Sequence, residues 1–187
     1  MTPIREIEDA LASPGKIPII AAAEAMEKNP TLVSLVFELA KGTRQPISWR
    51  AAWIFSYLAD CESPLLSPII DDIIAAAIAI DHHSQRGCFL KVLSRCGYNV
   101  ENAGELFDFC IDLLQKPTNR PSHKFYCLDI LEKFANQLPE LRPELIMVIT
   151  DALPNFETDV LRRKGKLWLR KMDTPRSSKR MRLSDIH

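Results

Sequence analysis

The chain has 187 residues, in which 24 Lys and Arg balance 24 Asp and Glu to a formal net charge of zero. A hydrophobic fraction of 47% excludes a disordered chain, and 26% charged residues excludes a membrane bundle. The balance conceals a split: residues 1–160 hold 14 basic and 22 acidic side chains, net −8, whereas residues 161–182 hold ten basic and one acidic, net +9. Asymmetry of this kind points to a face or tail with its own partner.

In chain order, helical spacing of apolar residues predicts helices near 3–12, 16–28, 30–41, 47–60, 65–80, 84–96, 101–115, 122–137, 140–152 and 157–171, and sustained strand alternation occurs nowhere. Pro14-Gly15, Asn29-Pro30, Pro46, Pro64, Gly97, Pro117, Pro121, Pro139 and Pro154 separate them. The connections are short, so consecutive helices are expected to be antiparallel neighbours. The longest apolar run, Ile73 to Ile80, lies between Asp72 and Asp81 and is far short of the roughly 18 residues that span a bilayer. The acidic N-terminus lacks the basic-then-apolar order of an export signal, so the expected location is the cytoplasm, without membrane insertion. Five cysteines with no Cys-x-x-Cys pair agree with a reduced compartment, and Cys88, Cys110 and Cys127 fall inside apolar helical patterns.

The chain repeats itself. Ile69, Ile70, Ile73 and Ile74 recur 37 residues earlier as Leu32, Val33, Val36 and Phe37, and 37 later as Leu106, Phe107, Cys110 and Ile111. A further 39 residues on stand Leu145, Ile146, Ile149 and Thr150. The alternate helices open on Ser48-Trp49-Arg50, Ser84-Gln85-Arg86 and Ser122-His123-Lys124, each Ser a candidate N-cap. Behind them come Trp53, Ile54 and Tyr57, then Phe89, Leu90 and Leu93, then Cys127, Leu128 and Leu131, which predicts a core position for Trp53. Two helices per period of about 37 residues is an α-solenoid pattern. Over residues 13–171 the chain resembles the HEAT and armadillo-like repeats, and the fold class is all-α, an α-α superhelix of about four antiparallel helix pairs. Tetratricopeptide marks (Gly-Tyr and Ala at fixed places) are absent. The expected organisation is one repeat domain over 1–172, with 1–12 as N-terminal cap and 157–172 as a basic C-terminal cap, followed by a flexible basic tail, 173–187.

Chemistry-bearing motifs are sparse. His82 and His83 with Cys88 and Cys96 match no zinc spacing, no Gly-rich phosphate loop occurs, and no catalytic residue, metal or cofactor is expected. A hydrolase or redox enzyme built on those histidines and thiols is the least favoured reading. The fumarase/adenylosuccinate lyase superfamily is also helical, but its Ser-Ser-x-Met-Pro-x-Lys-x-Asn loop is missing. The helical-repeat alkylpurine DNA glycosylases are a nearer comparison: their resemblance implies aromatic side chains and a carboxylate beside a basic groove, for which Trp49, Trp53 and Trp168 with Asp60 or Asp72 are the candidates.

Three charged sets remain. In the repeat register Ser34 and Glu38, Asp71 and Asp72, Asp108 and Asp112, and Asp151 face away from the core on every second helix. The HEAT resemblance implies that these helices line a concave, acidic groove. Arg162, Arg163, Lys164, Lys166, Arg170 and Lys171 form a basic patch on the last helix. Arg50, Arg86 and Lys124 oppose the dipoles of their own helices, and are read as pairing with loop acids such as Asp81 and Glu62 or as a basic ladder along one edge. The expected function is a non-enzymatic scaffold that binds a protein or peptide segment, with self-association as a further partner. The alternative is a nucleic-acid binder related to the DNA alkylation-repair proteins, acting through the basic C-terminal end.

Overall fold

The computed structural model describes residues 3–116 and 120–173. Those residues form ten α-helices: α1 (Pro3–Ala12), α2 (Ile17–Lys28), α3 (Leu32–Lys41), α4 (Ile47–Asp60), α5 (Ile70–Ala79), α6 (His83–Arg95), α7 (Gly104–Gln115), α8 (Pro121–Gln137), α9 (Arg142–Ala152) and α10 (Asp159–Asp173). Short 3-10 turns precede α5, α7, α9 and α10. The expected helix over 65–80 is divided. Pro68 lacks an amide hydrogen and disfavours the α conformation at Ser67, so Pro64–Ile69 winds as a 3-10 turn and α5 starts at Ile70. The Pro14-Gly15 turn uses the one positive φ of the described glycines, +112° at Gly15, where a side chain would be strained.

The helices form two layers. α2, α4, α6, α8 and α10 stack in succession, each against the next, while the odd helices form the second layer and touch one another less closely. Buried Ala51, Ala52 and Ala59 let the backbones of α2 and α6 approach α4. Phe37 of α3 ties the layers together, its ring edge-on to Phe55 of α4 (5.6 Å) and Phe89 of α6 (5.9 Å).

Burial corrects the repeat register in one place. Ala51-Ala52 and Ile54-Phe55 of α4 are buried as Phe89-Leu90 and Val92-Leu93 are on α6, and as Cys127-Leu128 and Ile130-Leu131 are on α8. The core spacing is therefore 38 residues at both steps, and the 36-residue Ser48-to-Ser84 match is out of register by two. None of the three serines is an N-cap: Ser48, Ser84 and Ser122 stand at the second residue of α4, α6 and α8. On α6 the cap is His82, whose Nδ1 accepts from the Gln85 amide at 3.4 Å.

Helix C-termini are capped from neighbouring elements. Arg50 donates to the Leu11 and Ala12 carbonyls that end α1, both at 2.8 Å. Gln85 donates to the Ala40 and Gly42 carbonyls at the end of α3, and Lys133 to the Leu93 and Cys96 carbonyls at the end of α6. A cation there both fills orphan carbonyls and meets the negative end of the dipole. Burial of Lys133 lowers its pKa to about 8. The final helix α10 buries Leu161, Gly165, Trp168 and Met172 along one stripe. A Cβ on Gly165 would stand 2.8 Å from Leu153 and 3.0 Å from Phe156, so glycine sets how closely α10 seats.

Candidate functional site: an aromatic and basic groove on the even layer

A groove of about 410 Å³ crosses α4, α6 and α8. The floor on α4 is Trp49 and Trp53, four residues and so one turn apart, with rings stacked at 5.7 Å and 17°. The α6 wall contributes His83, Ser84, Gly87, Cys88 and Lys91, and the α8 wall Arg120, Ser122, His123 and Tyr126. No carboxylate is among these lining residues. Trp53 is packed against the core, as its spacing suggested, but only half-buried, so part of its ring also faces the groove. The buried stripe of α4 runs through Ala51, Ile54, Phe55 and Leu58, which rotates Trp53 to the half-buried flank beside Trp49.

The imidazoles set the local electrostatics. His123 is buried, and its Nε2–H donates to the His83 carbonyl at 2.9 Å. Its pKa lies below the ordinary 6.5, chiefly through burial and further through Arg86, His83 and Arg120, with the carbonyl contact acting in the opposite sense. His83 is lowered too, by desolvation, Arg120 and His82. Both rings are therefore harder to protonate folded than unfolded. Between pH 6.5 and the folded pKa values the unfolded chain holds more protons, so stability is lost as pH falls through that window. A thermal melt at pH 5.5 is expected to lie below one at pH 7.5, and His123→Gln should reduce the difference. Equal dependence in both proteins would remove His123 as the cause. Cys88, pushed up to about 12 by burial, is a thiol at neutral pH and no activated nucleophile.

The charged sets fall on different parts of the two layers. Glu38, Asp71, Asp72, Asp108, Asp112 and Asp151 are all exposed, on α3, α5, α7 and α9, and none of them lines the even-layer groove. They stand on the opposite, more open layer; Glu38 pairs with Lys41 and Asp112 with Lys116 along their own helices. In the basic set, Lys164 is held by Asp129 and Lys171 by Glu132, both from α8, while Arg162 binds Asp159 and the Phe156 carbonyl. Arg163, Lys166 and Arg170 are exposed on α10. Arg163 and Arg170 line a second groove of about 560 Å³ between α8 and α10.

Arg50, Arg86 and Lys124 do not form a surface row. Arg50 caps α1, and Arg86 donates to the Ala77 carbonyl and to Asp81. Lys124 is 1% exposed and pairs with Glu157 at 2.8 Å. Of the glycosylase-like candidates, Trp49 and Trp53 come together but Trp168 is buried on α10. Asp60 is held by Lys91 and Arg95, and Asp72 lies on the other layer. Among the described residues no three His, Cys, Asp or Glu side chains are placed to share a metal ion, and no helix is long and apolar enough to cross a membrane.

The family model of the HEAT repeat domain matches residues 8–183. The chain belongs to the HEAT-repeat family. No curated protein and no solved structure matches it. Five helices in each of two layers are what HEAT repeats build, and the repeats explain how α4, α6 and α8 place their first turns side by side. The groove residues Trp49, His83 and Arg120 show no repeat-wide pattern in the sequence. In the sequence Trp49 stood out as an aromatic and His83 as half of a His-His pair, whereas Arg120 carried no signal.

Proposed function

We propose that this HEAT-repeat protein is a non-catalytic binding module that holds a segment of another protein in the groove of its even layer. The observation that carries the reading is the stacked Trp49–Trp53 pair, partly exposed on a two-layer stack whose other aromatic side chains mostly serve the core. Aromatic side chains in concave sites supply much contact area with little conformational entropy to lose. The thiol at Cys88 and the salt-bridged Asp60 speak against a nucleophile or a catalytic acid in this groove.

The nucleic-acid reading has the same tryptophans in its favour, since bases stack on such rings. Against it, Lys164, Lys171 and Arg162 of the basic patch are already engaged by acids. Phosphate binding needs cations available to replace counterions along a track.

A photo-crosslinking amino acid placed at Trp49 in the native cell is expected to yield protein adducts, and one placed at Asp71 on the odd layer few or none. Adducts to nucleic acid from position 49, or equal protein capture from position 71, would sink the proposal.

A further inference from the structure

The outer face of the odd layer carries negative charge that its own cations do not answer. Glu105, Asp108 and Asp112 of α7 are exposed at i, i+3 and i+7, opposite the buried Leu106, Cys110 and Leu114. On the neighbouring α9, Glu144 and Asp151 are exposed, and Met147 between them is 61% exposed. The cations of these helices are already engaged: Lys116 holds Asp112, and Arg142 caps α8 through the Ala135 carbonyl. Among the described residues Glu105, Asp108, Glu144 and Asp151 take no ion-pair partner. Glu105 and Glu144 stand in the first turns of their helices, where the dipole favours an anion. Asp151 does not. It lies in the last turn of α9, which holds no basic residue, so it opposes the dipole of its own helix. A cation from elsewhere in the chain would relieve it.

The segment that follows α10, residues 174–187, lies outside the described residues, and its sequence complements this face. Arg176, Lys179, Arg180 and Arg182 stand there with a single acid, Asp185. Met181 lies between Arg180 and Arg182, as Met147 lies between Glu144 and Asp151. α10 follows α9 after a short turn and packs on it, so it runs back beside α9 and brings Asp173 to the end where Glu144 stands. To reach Asp151 from there a chain must round a helix about 10–12 Å wide and follow α9, which is about 16 Å long. Extended chain from Asp173 to Arg182 spans about 30 Å, which suffices. α10 itself exposes Arg163 and Lys166, which repel a cationic segment. We propose that residues 174–187 dock in cis on the outer face of α7 and α9, with Arg180 and Arg182 on Glu144 and Asp151, Met181 on Met147, and Lys179 toward the α7 carboxylates. Each exposed pair contributes little alone. Several together, at the high effective concentration of a tether, cover the face at low salt and release it at high salt. The docked segment is an autoinhibitory cover, which any basic partner for this face must displace. The odd layer lies opposite Trp49 and Trp53, so the proposal stands or falls independently of the groove.

Trypsin cleavage after Arg180 and Arg182 of the full-length protein reads the docked fraction, because a covered segment is cut only while it is released. At about 50 mM NaCl cleavage should be about tenfold slower than in a free peptide of residues 174–187, and at about 500 mM the two should match. Glu144→Gln with Asp151→Asn should abolish the protection without lowering the thermal melt, since both side chains are exposed. Asp71→Asn on α5, outside the proposed face, should leave it intact. A carbodiimide, which couples amines to carboxylates, should join Lys179 to Glu105, Asp108, Glu144 or Asp151 within one chain. Cleavage as fast as in the peptide at low salt, or equal loss of protection in Asp71→Asn, would overturn the docking site. Adducts confined to covalent dimers would assign the contact to a second copy and overturn docking in cis.

Discussion

Glu157→Ala should destabilise the protein by about 3–5 kcal/mol, whereas Lys124→Met should cost far less, although the two substitutions break one and the same ion pair. The difference follows from burial. The Lys124 side chain is 1% exposed and that of Glu157 28%, with 2.8 Å between Nζ and Oε1. Removing the carboxylate strands an ammonium inside the stack, with the Phe156 ring 5.7 Å away. Removing the ammonium leaves a carboxylate that water reaches, and Met fills the vacated channel with a chain of similar length. Urea denaturation of the two single mutants and the double mutant measures this directly. The double mutant should resemble Lys124→Met alone. Equal losses from both single substitutions would mean that the pair acts through packing and not through the stranded charge.

Trp168→Ala should be as severe, about 3–5 kcal/mol, while Trp168→Phe should cost under about 1.5 kcal/mol. Trp168 is buried on α10, in one stripe with Leu161, Gly165 and Met172. Its indole Nε1 is buried with no hydrogen-bond partner among the described residues. Alanine opens a cavity at the end of the stack. Phenylalanine keeps most of the ring and removes an N–H whose burial is uncompensated. Repeat proteins are held together by nearest-neighbour contacts, so the damage should begin locally. Amide exchange should accelerate first in α10 and next in α8 and α9, the helices it packs on. Uniform acceleration through α2 and α4 would show that the stack unfolds as one unit.

How far the chain could be read before folding is clearest residue by residue. All ten helices were legible, because each carries its own apolar stripe and its own Pro or Gly punctuation, and both are local properties. The division of 65–80 turned on Pro68 within an otherwise helical apolar run, where local chemistry outweighed periodicity. The slip between Ser48 and Ser84 arose because a serine near a helix start is common, while register is set by which side chains are buried.

The candidate site was legible only in part. Trp49 and Trp53 stood out by type and spacing, but their exposure depended on the rotation of α4, which its neighbours α2 and α6 fix. His123 of α8 meets His83 of α6 only because successive even helices lie side by side, a juxtaposition of residues 40 apart. The basic patch was visible as a run of cations, but its partners Asp129 and Glu132 lie on a different helix, 35 and 39 residues back. By itself, then, the sequence determined the helices, their pairing and the repeat, since these depend on periodic burial within short segments. The tertiary structure alone decided which charges are spent inside the fold and which stay at the surface, because Coulomb and desolvation energies depend on distances between helices and on exclusion of water.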